Sequence, residues 1–280
     1  MDNQALWYVG GQWVHPREAV LSVNDIAILR GYSVFESLRT YDRRPFHLDE
    51  HLDRLYHSAE LIEMAIPWPR EHIADLVREV IERNTYRHAT IRLLVTGGES
   101  EDGILPSASP ELIVMITPLG ERDMERFARG YKLITSGLQR VSPEAKTTNY
   151  IAAVRALKEA ALRGANDALF VDERGQVLEA TRSNFFIFLG DTLVTPREAV
   201  LIGITRNVVL ELARGRFAIE ERPILMTELL AADEAFVTSS SREITPVVQI
   251  DERAIADGRP GPRTYELEQR FIEMIEQGKF

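Results

Sequence analysis

Residues 142–160 read SPEAKTTNYIAAVRALKEA: a proline-marked turn, Lys146, a polar TTNY step and then a helical pattern. The reading of this lysine decides the rest. Held between a turn and a buried helix it has little freedom, and partial desolvation lowers an ammonium pKa and favours the neutral, nucleophilic amine. The bland alternative is a solvated loop lysine. Few rivals exist, because the chain has four lysines, Lys132, Lys146, Lys158 and Lys279, against 29 arginines. Lys158 borders the polar stripe of Arg155, Glu159 and Arg163 on the same helix, which reads as a solvated face.

The chain has 280 residues, 45% of them hydrophobic, a net charge of −10 and a pI near 5.2. That balance argues against non-specific binding to nucleic acid or to an anionic membrane and favours a small-molecule partner. No cysteine is present, which excludes disulfides, thiol nucleophiles, iron–sulfur clusters and thiolate zinc sites. With no apolar run long enough to span a bilayer and no basic-plus-apolar leader at Met1, the expectation is a cytoplasmic globular protein. Its length suits two domains of ordinary size.

Working outward, WYVGGQWV predicts two short strands about Gly10 and Gly11, and SVFESLRTY alternates like a strand up to a turn at 42–45. Leu48, Leu52, Leu55, Ala59 and Ile62 recur at helical spacing, and PREHIADLVREVIERN repeats the pattern behind a proline. Strands ATIRLLVT and ELIVMITP close an N-terminal domain, 1–118. The charged stretch 119–130 reads as a linker to a larger domain, 131–280. There the pattern predicts strand YKLITS, the helix after Lys146, hairpin DALFVDERGQVLEA, strand NFFIF, helix TRNVVLELARG and strands FAIEERPI and EAFVTSS. Mixed in this way, strands and helices point to an α/β or α+β protein.

Three further segments could carry chemistry. In LIGITRNVVLELARG, residues 201–215, Gly203, Ile204 and Thr205 at a helix start offer free N–H groups, a hydroxyl and the positive helix end to a phosphate. An ordinary Thr N-cap is the alternative. In EATRSNFFIF, Glu179 ends a hairpin strand, and a buried acid there needs a partner. A protonated heteroaromatic nitrogen would serve, as would Arg182. TSSSREI sets Ser239, Ser240 and Ser241 after an apolar strand, a hydroxyl-rich turn. His47, His51 and His57 lack a third ligand for a metal and read as surface or interface residues.

Lysine, phosphate cup, acid and hydroxyl turn look like the parts of a pyridoxal phosphate site. Through GYSVFESLRTY, HLDRL, AKTTNY, EATRSNFF, LIGITR, TSSSREITPV and DGRPGPRT the sequence resembles the class IV aminotransferases. That family includes branched-chain, D-amino-acid and (R)-amine aminotransferases and aminodeoxychorismate lyase. The resemblance implies a two-domain fold-type IV enzyme like D-amino-acid aminotransferase, with pyridoxal 5′-phosphate in the cleft between domains, and at least a homodimer. It implies that Lys146 links covalently to the cofactor and shuttles the proton, and that Glu179 pairs with the pyridine nitrogen. Arg54, Ile204, Thr205 and Ser240 would hold the phosphate. On spacing alone Arg54 reads instead as a solvated helix residue paired with Glu50. Tyr150, Asn149 and Asn184 would lie near the cofactor, although KTTNY is one residue shorter than the KxGGNY form common in branched-chain enzymes.

Phe35, Arg30, Arg92, Ser239 and Ser241 are the expected substrate contacts. Branched-chain and the best-known D-amino-acid enzymes usually carry a tyrosine where this chain has Arg30. Arg92 falls where branched-chain enzymes also keep an arginine. Two guanidinium groups facing one pocket would need an anion, and a substrate carboxylate is the obvious one. The alternative is that Arg30 turns to solvent or to Asp25. A carboxylate at Arg30 and Arg92 rather than at the 239–241 turn would reverse the substrate and select the D enantiomer. The expectation is therefore exchange of an amino group between a D-amino acid and a 2-oxo acid, with an (R)-amine side activity. The alternatives are an L-branched-chain-amino-acid aminotransferase and, third, an aminodeoxychorismate lyase.

Overall fold

Val34 and Leu38 alternate inward along SVFESLRTY, and that alternation fixes the sheet about which the N-terminal half is built. The computed structural model describes residues 5–106, 109–120 and 123–280. The chain divides into two compact units, the first made of Met1–Glu121 with Ala145–Asn149 and the second of Arg122–Glu144 with Tyr150–Phe280.

The first unit holds strands β1 (Trp7–Val9), β2 (Gln12–Val14), β3 (Ser33–Tyr41), β4 (Arg44–Pro45), β5 (Ala89–Thr96) and β6 (Leu112–Pro118), with helices α1 (Ile26–Arg30), α2 (Leu48–Leu61) and α3 (Arg70–Glu82). The sheet runs β2-β1-β6-β5-β3-β4. Leu52 and Leu55 of α2 and Ile73, Val77 and Val80 of α3 pack with the inward residues Ile91, Leu93 and Val95 of β5 into one apolar core. Helix α1 was not expected. It is short, opened by the Asp25 side chain accepting from Ala27 N at 2.7 Å and closed by Gly31 in the left-handed region.

The second unit holds α4 (Met124–Arg129), β7 (Tyr131–Ser136), α5 (Ile151–Leu162), β8 (Asp167–Val171), β9 (Gln176–Ala180), β10 (Asn184–Leu189), β11 (Thr192–Thr195), α6 (Ile204–Ala213), β12 (Ala218–Glu221), β13 (Ile224–Leu225), α7 (Met226–Leu229), β14 (Glu234–Ser239), β15 (Glu243–Ile250), β16 (Arg253–Ala254) and α8 (Pro262–Glu276). Its sheet runs β12-β11-β10-β14-β15-β7-β8-β9-β13, with β16 on β15. Helices α6 and α8 pack on each other and on β14, while α5 lays Ala153, Ala156 and Ala160 against Ile134 and Phe170. The small residues of that helix face allow close approach to the sheet.

Two boundaries differ from the expectation. Residues 119–130, read as a linker, contain α4 with Phe127 buried, because Phe127 supplies an apolar anchor that the charged residues around it obscure. Residues 121 and 122 of that stretch lie outside the described residues. Residues 145–149, expected in the second domain, belong with the first unit. Val34 and Thr147 form a bridge, Phe35 N donates to the Lys146 carbonyl at 2.9 Å, and Lys146 N donates to Ser58 Oγ at 3.1 Å.

Candidate active site

In the first unit the expected residues gather about β3 and α2. Lys146 is half-buried. Its backbone is tied to β3 and α2, and its Nζ lies 4.7 Å from the centroid of the Phe35 ring, a cation–π contact that orients the amine. Arg54 sits four residues before Ser58 on α2, one turn or about 6 Å along the axis from the residue that holds the lysine's backbone. It does not pair with Glu50, which instead meets His47 at 2.7 Å. Its partner is Glu36, whose Oε1 accepts from Arg54 Nε at 2.7 Å and whose Oε2 accepts from Nη2 at 2.8 Å. Glu36 is fully buried, and the adjacent Arg54 and His51 outweigh desolvation to hold its carboxyl far below the usual range.

His51 corrects a second expectation. It is not a surface residue but wholly buried, with Nδ1 2.7 Å from Glu36 Oε2, and burial pushes its pKa below the ordinary value. His57 is exposed as expected and His47 is partly covered. Sequence reasoning passed over Glu36, although a signal was there: Val34, Glu36 and Leu38 form the inward face of β3, and a carboxylate in an apolar stripe requires a partner.

The substrate candidates divide. Arg92 pairs with Ser37 across the sheet and therefore shares the sheet face of Phe35, on which Lys146 rests. Its side chain is exposed. Arg30, at the end of α1, is exposed too and donates to the Leu29 carbonyl at 2.8 Å. It does not turn to Asp25, whose oxygens serve Ala27 N and Thr96 Oγ1. The Ser37–Arg92 pair lies four residues, about 13 Å, from the Ser33–Thr96 pair at the strand end nearest Arg30. The sheet register thus puts Arg92 on the face that carries Phe35 and the lysine, whereas Arg30 lies at the end of α1, outside the strands.

In the second unit Glu179 is buried at the end of β9 and accepts from Arg140 Nη1 at 2.5 Å. Arg182, the expected neighbour, lies instead 3.8 Å from Asp167. Nothing local to Glu179 points to Arg140, 39 residues upstream. Its Oε2 also accepts long contacts from Asn184 Nδ2 at 3.4 Å and Leu201 N at 3.3 Å. Glu179 and Arg140 line a cavity of about 410 Å³ with Phe170, Arg174, Leu178 and Ala199. Tyr150 stands at the start of α5, half-buried against that helix's core, and Asn149 just before it is exposed.

Asn184 links the acid to the residues that lead into α6. Its Nδ2 donates to the Leu201 carbonyl at 2.6 Å, and a Cβ at Gly203 would fall 2.1 Å from its Oδ1, so a side chain there would force the amide to shift. Helix α6 starts at Ile204 with no side-chain cap on its first N–H groups. Ile204 and Thr205 are buried. Ser183 Oγ, Thr238 Oγ1 and Ser239 Oγ are buried without a hydrogen-bond partner among the described residues, and Thr238 lies opposite Asn184 across β10 and β14. Ser240 is half-buried, and Ser241 is exposed. An uncapped helix end and orphaned hydroxyls are what an anion requires. The residues therefore fit a phosphate-bearing cofactor with a basic ring nitrogen.

Comparison with known proteins agrees. A family model described as amino-transferase class IV matches residues 33–250. A branched-chain-amino-acid aminotransferase of Pseudomonas aeruginosa is 33% identical, the match covering 96% of this chain and 92% of the relative. A D-alanine aminotransferase of Listeria monocytogenes is 31% identical over 95% of each chain. Among solved structures, the T.th. branched-chain amino acid aminotransferase with pyridoxamine 5′-phosphate superposes with a TM-score of 0.92 at 33% identity, covering 97% of this chain and 94% of that one. The two-sheet mixed α/β architecture is accordingly that of the fold-type IV enzymes. The chain belongs to the class IV aminotransferases, a family dependent on pyridoxal phosphate.

Proposed function

We propose that the chain transfers the amino group of a D-amino acid to a 2-oxo acid, with Lys146 as its catalytic residue. Pyridoxal 5′-phosphate supplies the electron sink that makes the substrate's α-proton labile. Lys146 would hold the cofactor aldehyde through Nζ and, released when the substrate amine takes its place, would carry the α-proton to the adjoining carbon as an amine oriented by the Phe35 ring. Glu179, paired with Arg140, would accept from the protonated ring nitrogen and hold the positive charge there. Arg54, the N–H groups of Ile204 and Thr205, the Thr205 hydroxyl and Ser240 would bind the phosphate, and Tyr150, Asn149 and Asn184 would line the ring.

Arg92 supports a substrate carboxylate on this side, since it stands on the lysine's face of the sheet where a guanidinium can meet an anion, and the D reading rests on Arg30 completing the pair. Arg30 joins it once its side chain leaves the Leu29 carbonyl. Phe35, Ser239 and Ser241 complete the substrate contacts. The second reading, an L-branched-chain-amino-acid aminotransferase, is favoured by the 33% identical relative and by the T.th. enzyme. We further propose a cytoplasmic homodimer on the family resemblance. Among the described residues no helix is long and apolar enough to cross a membrane.

The test is the half-reaction. The cofactor-loaded protein should be yellow, bleached by D-alanine or D-glutamate and restored by 2-oxoglutarate. Bleaching by L-leucine alone would replace the D reading by the second one. Lys146→Ala should lose borohydride-trappable cofactor and more than about 10⁴-fold in turnover, since it removes both nucleophile and proton carrier.

A further inference from the structure

His51, Arg54 and Ser58 recur at i, i+3 and i+7 on α2, so one helical face presents all three towards β3. Glu36 meets that face from β3 with both oxygens engaged. Its contacts to Arg54 use Nε and Nη2, one edge of the planar fork, at 2.7 and 2.8 Å. Engaging that edge fixes the guanidinium plane and turns Nη1 away from Glu36. His51 in turn holds Glu36 Oε2 through Nδ1 at 2.7 Å. With Glu36 ionised, that nitrogen carries the proton, so His51 Nε2 is an acceptor. It is buried and has no hydrogen-bond partner among the described residues.

A buried ion pair that served only to fasten α2 to the sheet would add little, because apolar residues of similar volume do as well or better. A flexible arginine that must meet an anion gains more. Ordering its side chain in advance removes rotamer entropy that binding would otherwise cost.

We propose that Glu36 and His51 are positioning residues for the cofactor phosphate, Glu36 setting the plane of the Arg54 guanidinium and His51 setting Glu36. The inference rests on the phosphate role assigned above to Arg54. It makes Arg54 a pre-aimed donor whose charge is already balanced, so that the phosphate is selected by direction.

The measurement is the binding of two ligands to the full-length apoprotein, followed by the visible band each forms on Lys146. Pyridoxal 5′-phosphate carries the phosphate and pyridoxal does not. Glu36→Gln keeps the shape but gives Arg54 an amide in place of a carboxylate. It should raise the dissociation constant for pyridoxal 5′-phosphate about tenfold and leave that for pyridoxal within about twofold. His51→Gln leaves the Glu36–Arg54 fork in place and should shift the same ratio in the same direction by a smaller factor, which keeps the claim testable if Glu36→Gln fails to fold. Equal weakening of both ligands, or of neither, in the folded variants would make the pair structural and overturn the proposal. Arg54→Ala is the control for the underlying reading. If it too leaves the ratio unchanged, Arg54 does not bind the phosphate and the role assigned to it falls first.

Discussion

Glu36 in the first unit and Glu179 in the second are each buried against an arginine, and the two acids are used differently. Glu36 is wholly enclosed, and its oxygens are engaged by Arg54 twice and by His51, at 2.7 to 2.8 Å. Glu179 is held by Arg140 at 2.5 Å, yet it stands in the wall of a cavity of about 410 Å³. An acid enclosed by other side chains can only hold those side chains in place. An acid at a cavity wall can accept a further donor from a ligand, since a carboxylate has about four lone-pair sites. Burial alone would have ranked the two acids together, and the open space beside one of them separates them.

Truncation should expose the difference most strongly. Glu36→Ala leaves Arg54 inside without its carboxylate, and breaking a buried pair of this kind costs about 3–5 kcal/mol. Glu179→Ala likewise leaves Arg140 without its carboxylate, but in the wall of a cavity that admits water, so its cost should stay within about 1–3 kcal/mol, with the larger effect on cofactor binding. Urea unfolding of both variants measures this. A greater loss of stability from Glu179→Ala would reverse the assignment of the two acids.

Much of the fold could be read before the structure, but not this contrast, since Glu36 was passed over. Strand β3, helix α2 and the hairpin of β8 and β9 were visible because their apolar residues keep a strict period. Strand β15 was missed because Pro246 interrupts it. The proline is tolerated since β15 pairs with β7 only from Val247 onward, leaving β14 as the pairing neighbour at Pro246. Helix α8 was missed despite Pro262 in its first turn and the Leu267 and Phe271 anchors, because charged residues dominate its sequence. At the site, Lys146 and the fit of Glu179 and Gly203 came from local pattern and resemblance together. Arg140 and the Glu36–His51–Arg54 set depend on partners 15 to 39 residues apart, which no local spacing encodes.

A smaller effect sharpens the view of Glu179 as the available acid. Gly203→Ala would place a methyl 2.1 Å from Asn184 Oδ1, and Asn184 would have to give up the Leu201 carbonyl and its contact with Glu179. Affinity for pyridoxal 5′-phosphate should fall about tenfold, or 1.4 kcal/mol, while the fold, whose core the residue does not enter, loses less. Equilibrium titration of the apoprotein reads the change. Unaltered affinity would show that Asn184 does not connect the phosphate cup to the acid.

The smallest effect is a pH dependence that belongs to the enclosed acid and its histidine. Burial lowers the His51 pKa and leaves it neutral in the folded chain, whereas an unfolded histidine takes up a proton near pH 6.5. Its contribution to stability is therefore full above about pH 6.5 and is lost as the pH falls below that value. Glu36, depressed in the folded state, contributes fully above its unfolded value near 4.5 and loses that contribution only in more acid solution. Between about pH 7.5 and 5.5 His51 is thus the member of the pair that acts, and one unit below its unfolded pKa the loss is at most about 1.4 kcal/mol. The difference between the unfolding curves of wild type and His51→Gln isolates the buried ring. His51→Gln should show the shallower decline. Equal declines would mean that His51 is charged inside the fold, forming an ion pair with Glu36 that competes with Arg54 instead of a neutral contact that supports it.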